Sequence, residues 1–109
     1  MNMDTKVVHA GLKPDPTTGS ILPPIYQTAT YVLEKVGQDK GFDYTRSSNP
    51  TRQTMEEHLA AIDNGKYGAA FASGMATVDS CLKLLKAGDH VICSDDVYGE
   101  YLDTLTRFL

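Results

Sequence analysis

The stretch Phe71-Ala72-Ser73-Gly74-Met75-Ala76-Thr77 constrains this chain most, because a short apolar run there passes through a glycine into an amphipathic helical pattern. Tyr67 to Ala72 has the length and composition of a strand, and Val78, Cys81, Leu82 and Leu85 mark the inner face of a helix over about 75 to 86. Gly88 is placed to stop that helix, and His90 to Ser94 reads as a second strand, followed by an acidic turn at Asp95-Asp96. Strand, helix and strand in that order predict a βαβ unit with parallel strands and a right-handed crossover. The expected class is α/β.

Ligands of open parallel sheets sit beyond the carboxyl ends of the strands, and both Ser73-Gly74 and Asp95 to Gly99 fall at such ends. One ligand touching both loops is the expectation. A helix that starts at Ser73-Gly74 presents unpaired backbone amides, which can hold a phosphate. The residues alone leave a second reading open, in which Gly74 merely permits tight strand-to-helix packing. A Walker loop is excluded because no Gly-Lys-Ser/Thr follows, and the spacing of Gly68 and Gly74 does not fit the dinucleotide fingerprint.

Upstream, residues 1 to 50 show little periodicity and hold all five prolines. They read mostly as an irregular arm lying over the rest of the fold or over a neighbouring subunit, since such a segment cannot satisfy its backbone alone. Ile21, Leu22, Ile25, Tyr26, Tyr31, Val32 and Leu33 are its candidate anchors, the last three as a short strand. A helix begins near Asn49-Pro50, where Asn49 can cap and Pro50 suits the first position. Met55, Leu59 and Ile62 predict its buried stripe, with Arg52, Glu56, Glu57 and Asp63 in solvent and Gly65 ending it. The expected organisation is an arm over 1–48 and the start of an α/β domain over 49–109.

At 109 residues the chain can hold one modest core. With 41% hydrophobic and 22% charged residues it reads as globular, and its formal net charge of −4 offers no field for nucleic acid or an anionic membrane. Any anion site must therefore be local. Cys81 and Cys93 lack zinc spacing and are expected as reduced core thiols, while His9, His58 and His90 are scattered, so no metal site is predicted. The N-terminus has no signal-peptide pattern, and no run of about 18 apolar residues suits a membrane span. A cytoplasmic location is expected.

Two further groups bear on the anion seat. Tyr44-Thr45-Arg46 precedes the first predicted helix in polar chain, and an arginine offers a planar, bidentate phosphate donor to which a tyrosine hydroxyl adds another. Taken alone, the pair reads equally as a solvated arginine beside a packing tyrosine. Tyr98 follows the second predicted strand, where its ring can cover a flat ligand or simply sit half-buried in a loop.

Four motifs occur in order: Pro23-Pro24-Ile25-Tyr26-Gln27-Thr28-Ala29-Thr30-Tyr31, Tyr44-Thr45-Arg46-Ser47-Ser48-Asn49-Pro50-Thr51-Arg52, Phe71-Ala72-Ser73-Gly74-Met75-Ala76, and Gly88-Asp89-His90 with Asp95-Asp96-Val97-Tyr98-Gly99. Together they closely resemble the N-terminal part of the Cys/Met-metabolism (transsulfuration) family of pyridoxal-phosphate enzymes. The resemblance covers about Thr5 to Gly99 and implies a fold-type I enzyme with a mainly parallel, doubly wound sheet, pyridoxal 5'-phosphate as cofactor, an amino-acid substrate and a homotetrameric assembly. It also implies residue roles. The amides of Gly74 and Met75 would hold the cofactor phosphate, and Tyr44 and Arg46 would reach the same phosphate in a neighbouring protomer. Tyr98 would stack on the pyridine ring and assist proton transfer, so that Tyr44 and Tyr98 are the residues expected in catalysis. The cofactor's ring would store the electrons released with the substrate's α-proton while a γ- or β-substituent is eliminated or replaced.

The chain departs from the family's pattern after Gly99, where Glu100-Tyr101-Leu102 stand in place of a glycine and a threonine. None of its lysines, Lys6, Lys13, Lys35, Lys40, Lys66, Lys83 and Lys86, lies in a context like that of the family's cofactor-bearing lysine. Leu102, Leu105, Phe108 and Leu109 continue a helical stripe without a C-cap, and the chain is expected to be truncated and inactive alone. The favoured reading is the front portion of a cystathionine γ-synthase or γ-lyase type enzyme. Methionine γ-lyase, cystathionine β-lyase, a noncatalytic interaction module and a small phosphate-binding domain are the alternatives.

Overall fold

A computed structural model describes residues 1–108. The chain divides into two compact units, Met1–Ala70 and Phe71–Leu109. Among the described residues four helices form: α1 over Met3–His9, α2 over Pro50–Ile62, α3 over Gly74–Leu82 and α4 over Gly99–Phe108.

In the first unit, α1 is a helix within the stretch expected to be irregular. Asn2 caps it, its Oδ1 accepting the Thr5 N–H at 2.9 Å and the Thr5 hydroxyl at 2.7 Å. It packs on α2. The link after it can approach α2 only because residue 11 is glycine: Gly11 has φ +73°, and a Cβ there would lie 2.8 Å from the Glu57 carbonyl oxygen. His58 donates from Nδ1 to the Ala10 carbonyl beside it.

Helix α2 starts as the sequence predicts, with Pro50 in its first turn and Asn49 Oδ1 accepting the Thr51 N–H at 2.8 Å. Its end differs. The left-handed residue is Asn64 (φ +55°) rather than Gly65. The Gly65 N–H reaches the Ala60 carbonyl at 2.7 Å and the Asn64 N–H reaches Ala61 at 3.4 Å, a Schellman closure. The predicted stripe also differs: Met55 and Leu59 are exposed and Ala60 is the buried residue of the helix. Two sides of α2 are covered: the link at Ala10 and Gly11 lies over Glu57, His58 and Ala61, and the returning chain at Gly65 and Gly68 lies over Glu56 and Ala60.

The arm is tied to α2 and to itself. The Tyr26 N–H donates to Thr51 Oγ1 at 2.8 Å, and an antiparallel bridge joins Thr30 to Tyr44, so the arm's pairing is centred one residue before the predicted Tyr31–Leu33 strand. Asp15, itself buried, closes an exposed turn by accepting the Thr18 N–H at 2.8 Å and its hydroxyl at 2.7 Å, bonds that hold its carboxyl below the usual range. Of the predicted anchors, Ile21, Leu22, Ile25, Tyr26, Val32 and Leu33 are exposed, while Tyr31 packs on Phe42 with ring centroids 5.6 Å apart.

The second unit is built on α3 and α4, which pack together with Leu82 and Leu105 buried. Helix α3 stops at Leu82, short of the predicted 86, so Gly88 lies beyond it. Of the predicted stripe of α4, Leu105 is buried but Leu102 is exposed; Leu109 and the Phe108 side chain lie outside the described residues. Among the described residues no β-ladder forms: 67–72 and 90–94 are irregular here, in place of the two expected strands. A strand exists only by hydrogen bonding to a neighbour, and among the described residues neither segment has a ladder partner. Cys81 is exposed and Cys93 half-buried, both as free thiols, so the expected core position fails for Cys81. No helix among the described residues is long and apolar enough to cross a membrane.

Candidate functional site

The start of α3 is built from Ser73 upward. Ser73 has extended backbone (φ −156°, ψ 160°), and its Oγ accepts the Ala76 N–H at 3.1 Å. The Thr77 N–H returns to the Ser73 carbonyl at 3.2 Å. The Thr77 bond is the first of the helix ladder and the Ser73 hydroxyl takes up the Ala76 amide, while those of Gly74 and Met75 have no partner among the described residues. They are the two N–H groups on which the sequence expectation rests.

An open concavity of about 760 Å³ faces them within the second unit, lined by Ser73, Gly74 and Met75 on one side and by Cys93, Tyr98 and Tyr101 on another. Gly74, Met75 and Tyr98 are thereby brought to one surface. A Cβ built on Gly74 would meet nothing within 4 Å, and Gly74 is not in the left-handed region. Neither packing nor backbone conformation therefore requires glycine among the described residues, and the open space is what an incoming group would use. Tyr98 is two-thirds exposed at 66%, its ring free to cover a ligand. Two unpaired amides, the positive end of α3 and an aromatic face are what a flat, phosphorylated molecule needs. No cluster of side chains able to hold a metal ion exists among the described residues.

Tyr101 belongs to this concavity although the sequence reading left it out. It follows Tyr98 by three residues in the first turn of α4, where its N–H reaches the Tyr98 carbonyl at 2.8 Å. That spacing was the available signal. Burial, and then the neighbouring Cys93 thiol, raise its phenol above the ordinary value. Asp95 and Asp96 are exposed.

Tyr44 and Arg46 lie in the first unit and pair with each other, the Arg46 guanidinium carbon 5.5 Å from the centre of the Tyr44 ring. No carboxylate forms a salt bridge with Arg46 among the described residues. The loop that carries them is a turn in which the Ser47 and Ser48 N–H groups both reach the Tyr44 carbonyl at 3.0 Å. Asn49 Nδ2 holds it from below, donating to Thr45 Oγ1 at 2.7 Å and to the Tyr26 carbonyl at 3.2 Å. Arg52 and Glu56, expected in solvent, are only partly exposed and hydrogen-bonded: Arg52 donates to the Thr45 and Ser47 carbonyls at 2.9 Å each, and Glu56 accepts the Ala70 N–H at 2.8 Å. Their acceptors and donors come from chain outside the helix, which helical periodicity cannot reveal.

Residues 4–109 match the family described as Cys/Met metabolism PLP-dependent enzyme, PLP being pyridoxal phosphate. The chain is 50% identical over 98 residues to a cystathionine β-lyase of Coxiella burnetii, covering 90% of this chain and 25% of that one. It is 40% identical over 109 residues to a cystathionine γ-lyase of Bacillus subtilis, covering 100% and 29%. The crystal structure of cystathionine γ-lyase from Lactobacillus plantarum, complexed with L-serine, superposes with a TM-score of 0.81 at 38% identity, over 99% of this chain and 29% of that one. The chain thus spans between a quarter and a third of these relatives' length, matches their N-terminal part, and has the fold of the corresponding part of fold-type I pyridoxal-phosphate enzymes. The expected α/β class follows from this likeness. The chain belongs to the Cys/Met-metabolism family of pyridoxal-phosphate-dependent enzymes.

Proposed function

We propose that this chain is the cofactor-phosphate-binding N-terminal portion of a cystathionine γ-synthase or γ-lyase type enzyme, acting by γ-elimination or γ-replacement on a sulfur amino acid. The amides of Gly74 and Met75 take the cofactor phosphate, Tyr98 stacks on the pyridine ring and assists proton transfer, and Tyr44 and Arg46 serve the phosphate of a neighbouring protomer. Bound there, the cofactor supplies the electron sink for loss of the substrate's α-proton. The observation that carries the reading is the pair of unpartnered amides at Gly74 and Met75 beside a Cβ-free opening. In the same reading residues 1–48 form an arm against a second subunit and 49–109 begin the cofactor-binding domain of a cytoplasmic homotetramer. Support for a covered arm comes from its exposed apolar side chains, Ile21, Ile25, Val32 and Val36 among them.

Cystathionine β-elimination is the second reading, favoured by the 50% identity to the Coxiella burnetii β-lyase. The two separate by product. Full-length enzyme given cystathionine takes up water and releases cysteine, 2-oxobutyrate and ammonia by γ-elimination, but homocysteine, pyruvate and ammonia by β-elimination. Visible absorbance of the purified full-length protein tests the cofactor itself: a protein-bound chromophore that responds to cystathionine or O-succinylhomoserine is expected, and a colourless protein that takes up no pyridoxal phosphate would refute the reading. For the arm, Arg46→Ala is expected to weaken cofactor retention on dialysis while the protein stays folded.

A further inference from the structure

The loop bearing Tyr44 and Arg46 turns three of its carbonyl oxygens toward one side chain. Arg52 donates from Nη1 to the Thr45 carbonyl at 2.9 Å, and from Nη2 to Ser47 at 2.9 Å and to Arg46 at 3.5 Å. A guanidinium is the side chain suited to this, because its donors are fixed in a planar fork and spread over several acceptors, whereas an ammonium is a single point on a flexible stem. Arg52 is itself held from behind: its Nε lies 4.0 Å from Glu56 Oε1, and that oxygen also accepts the Ala70 N–H at 2.8 Å. The positive charge of Arg52 is thus balanced by a carboxylate and by carbonyl dipoles. Arg46, with an exposed side chain over the Tyr44 ring and no carboxylate partner among the described residues, keeps its charge available for an anion.

We propose that Arg52 is a positioning residue for cofactor binding: through the Thr45, Arg46 and Ser47 carbonyls it fixes the backbone from which Tyr44 and Arg46 project. The inference rests on the proposed role of Arg46 at a cofactor phosphate. It assigns the two arginines different work, one clamping the loop and one meeting the anion, and it makes the charge of Arg52 insufficient without its fork.

The test uses the full-length enzyme and four variants, Arg52→Lys, Arg52→Ala, Arg46→Ala and the double Arg46→Ala/Arg52→Ala. Pyridoxal-phosphate affinity, thermal unfolding of the cofactor-free protein and amide exchange of residues 44–48 are measured on each. Arg52→Ala and Arg52→Lys are both expected to weaken affinity by about tenfold, close to 1.4 kcal/mol, with faster exchange of the loop amides. The double variant is expected to lose less affinity than the sum of the two single losses, since with Arg46 gone the clamp positions Tyr44 alone. Full rescue by lysine would overturn the proposal in favour of a direct charge effect. Additive losses in the double variant, or lowered stability with unchanged affinity, would overturn it in favour of an independent or merely structural role. A normal affinity in Arg46→Ala would instead strike the parent reading of Arg46, and the clamp's purpose with it.

Discussion

The hydroxyl oxygen of Ser73 accepts the Ala76 N–H at 3.1 Å, and that one bond decides which amides α3 leaves open. With Ala76 satisfied by the cap and Thr77 by the first bond of the helix ladder, Gly74 and Met75 carry unspent donors. Removing the cap should loosen the helix start and blur that selection. Ser73→Ala is expected to cost about 1 kcal/mol of stability and to weaken cofactor affinity in the full-length protein. Thermal unfolding and a cofactor titration check the two effects separately.

Gly68 holds the chain against α2. A Cβ at that position would collide with the Glu56 carbonyl oxygen, a backbone atom that cannot swing away. Gly68→Ala should therefore push the chain off α2, strain the Ala70–Glu56 hydrogen bond and destabilise by roughly 1–3 kcal/mol. Chemical denaturation measures this, and unchanged stability would contradict the close approach.

Tyr101 carries a pH signature. Its phenol is raised by burial and by Cys93, so the folded state favours the protonated form more than the unfolded chain does. The contribution is fully present below the ordinary phenol value of 10.0 and is lost as pH rises through the higher folded value. Ultraviolet titration of tyrosinate is expected to show one group ionising late, and Tyr101→Phe to remove that group and lessen the alkaline fall in stability. A late group that persists in the variant would assign the shift elsewhere.

The caps were legible because they are local. Asn49-Pro50 and Ser73-Gly74 specify helix starts within a few residues, and both helices begin there. Helix α1 was not legible, since a helix of 7 residues shows too little periodicity and is stabilised by packing on α2. The strands expected at 67–72 and 90–94 fail for a related reason: a ladder depends on partner chain that no local pattern supplies. Arg52 looked like a solvent-facing charge on the helical wheel, yet its acceptors stand 5 to 7 residues upstream in a turn. Gly74, Met75 and Tyr98 were legible as a set through the family resemblance, whereas Tyr101 sits where the family pattern is lost.

Gly74 carries the central claim. With nothing within 4 Å of its would-be Cβ and no left-handed backbone, it can become alanine without a folding penalty, and a gain of about 0.4–1 kcal/mol is expected for the cofactor-free protein. The same methyl would occupy the opening assigned to the phosphate. The decisive measurement pairs apo-protein thermal unfolding with pyridoxal-phosphate affinity in full-length Gly74→Ala. The account predicts equal or higher stability with affinity weakened by at least about tenfold, or 1.4 kcal/mol. Lower stability with unchanged affinity would make Gly74 a packing glycine and contradict the phosphate seat.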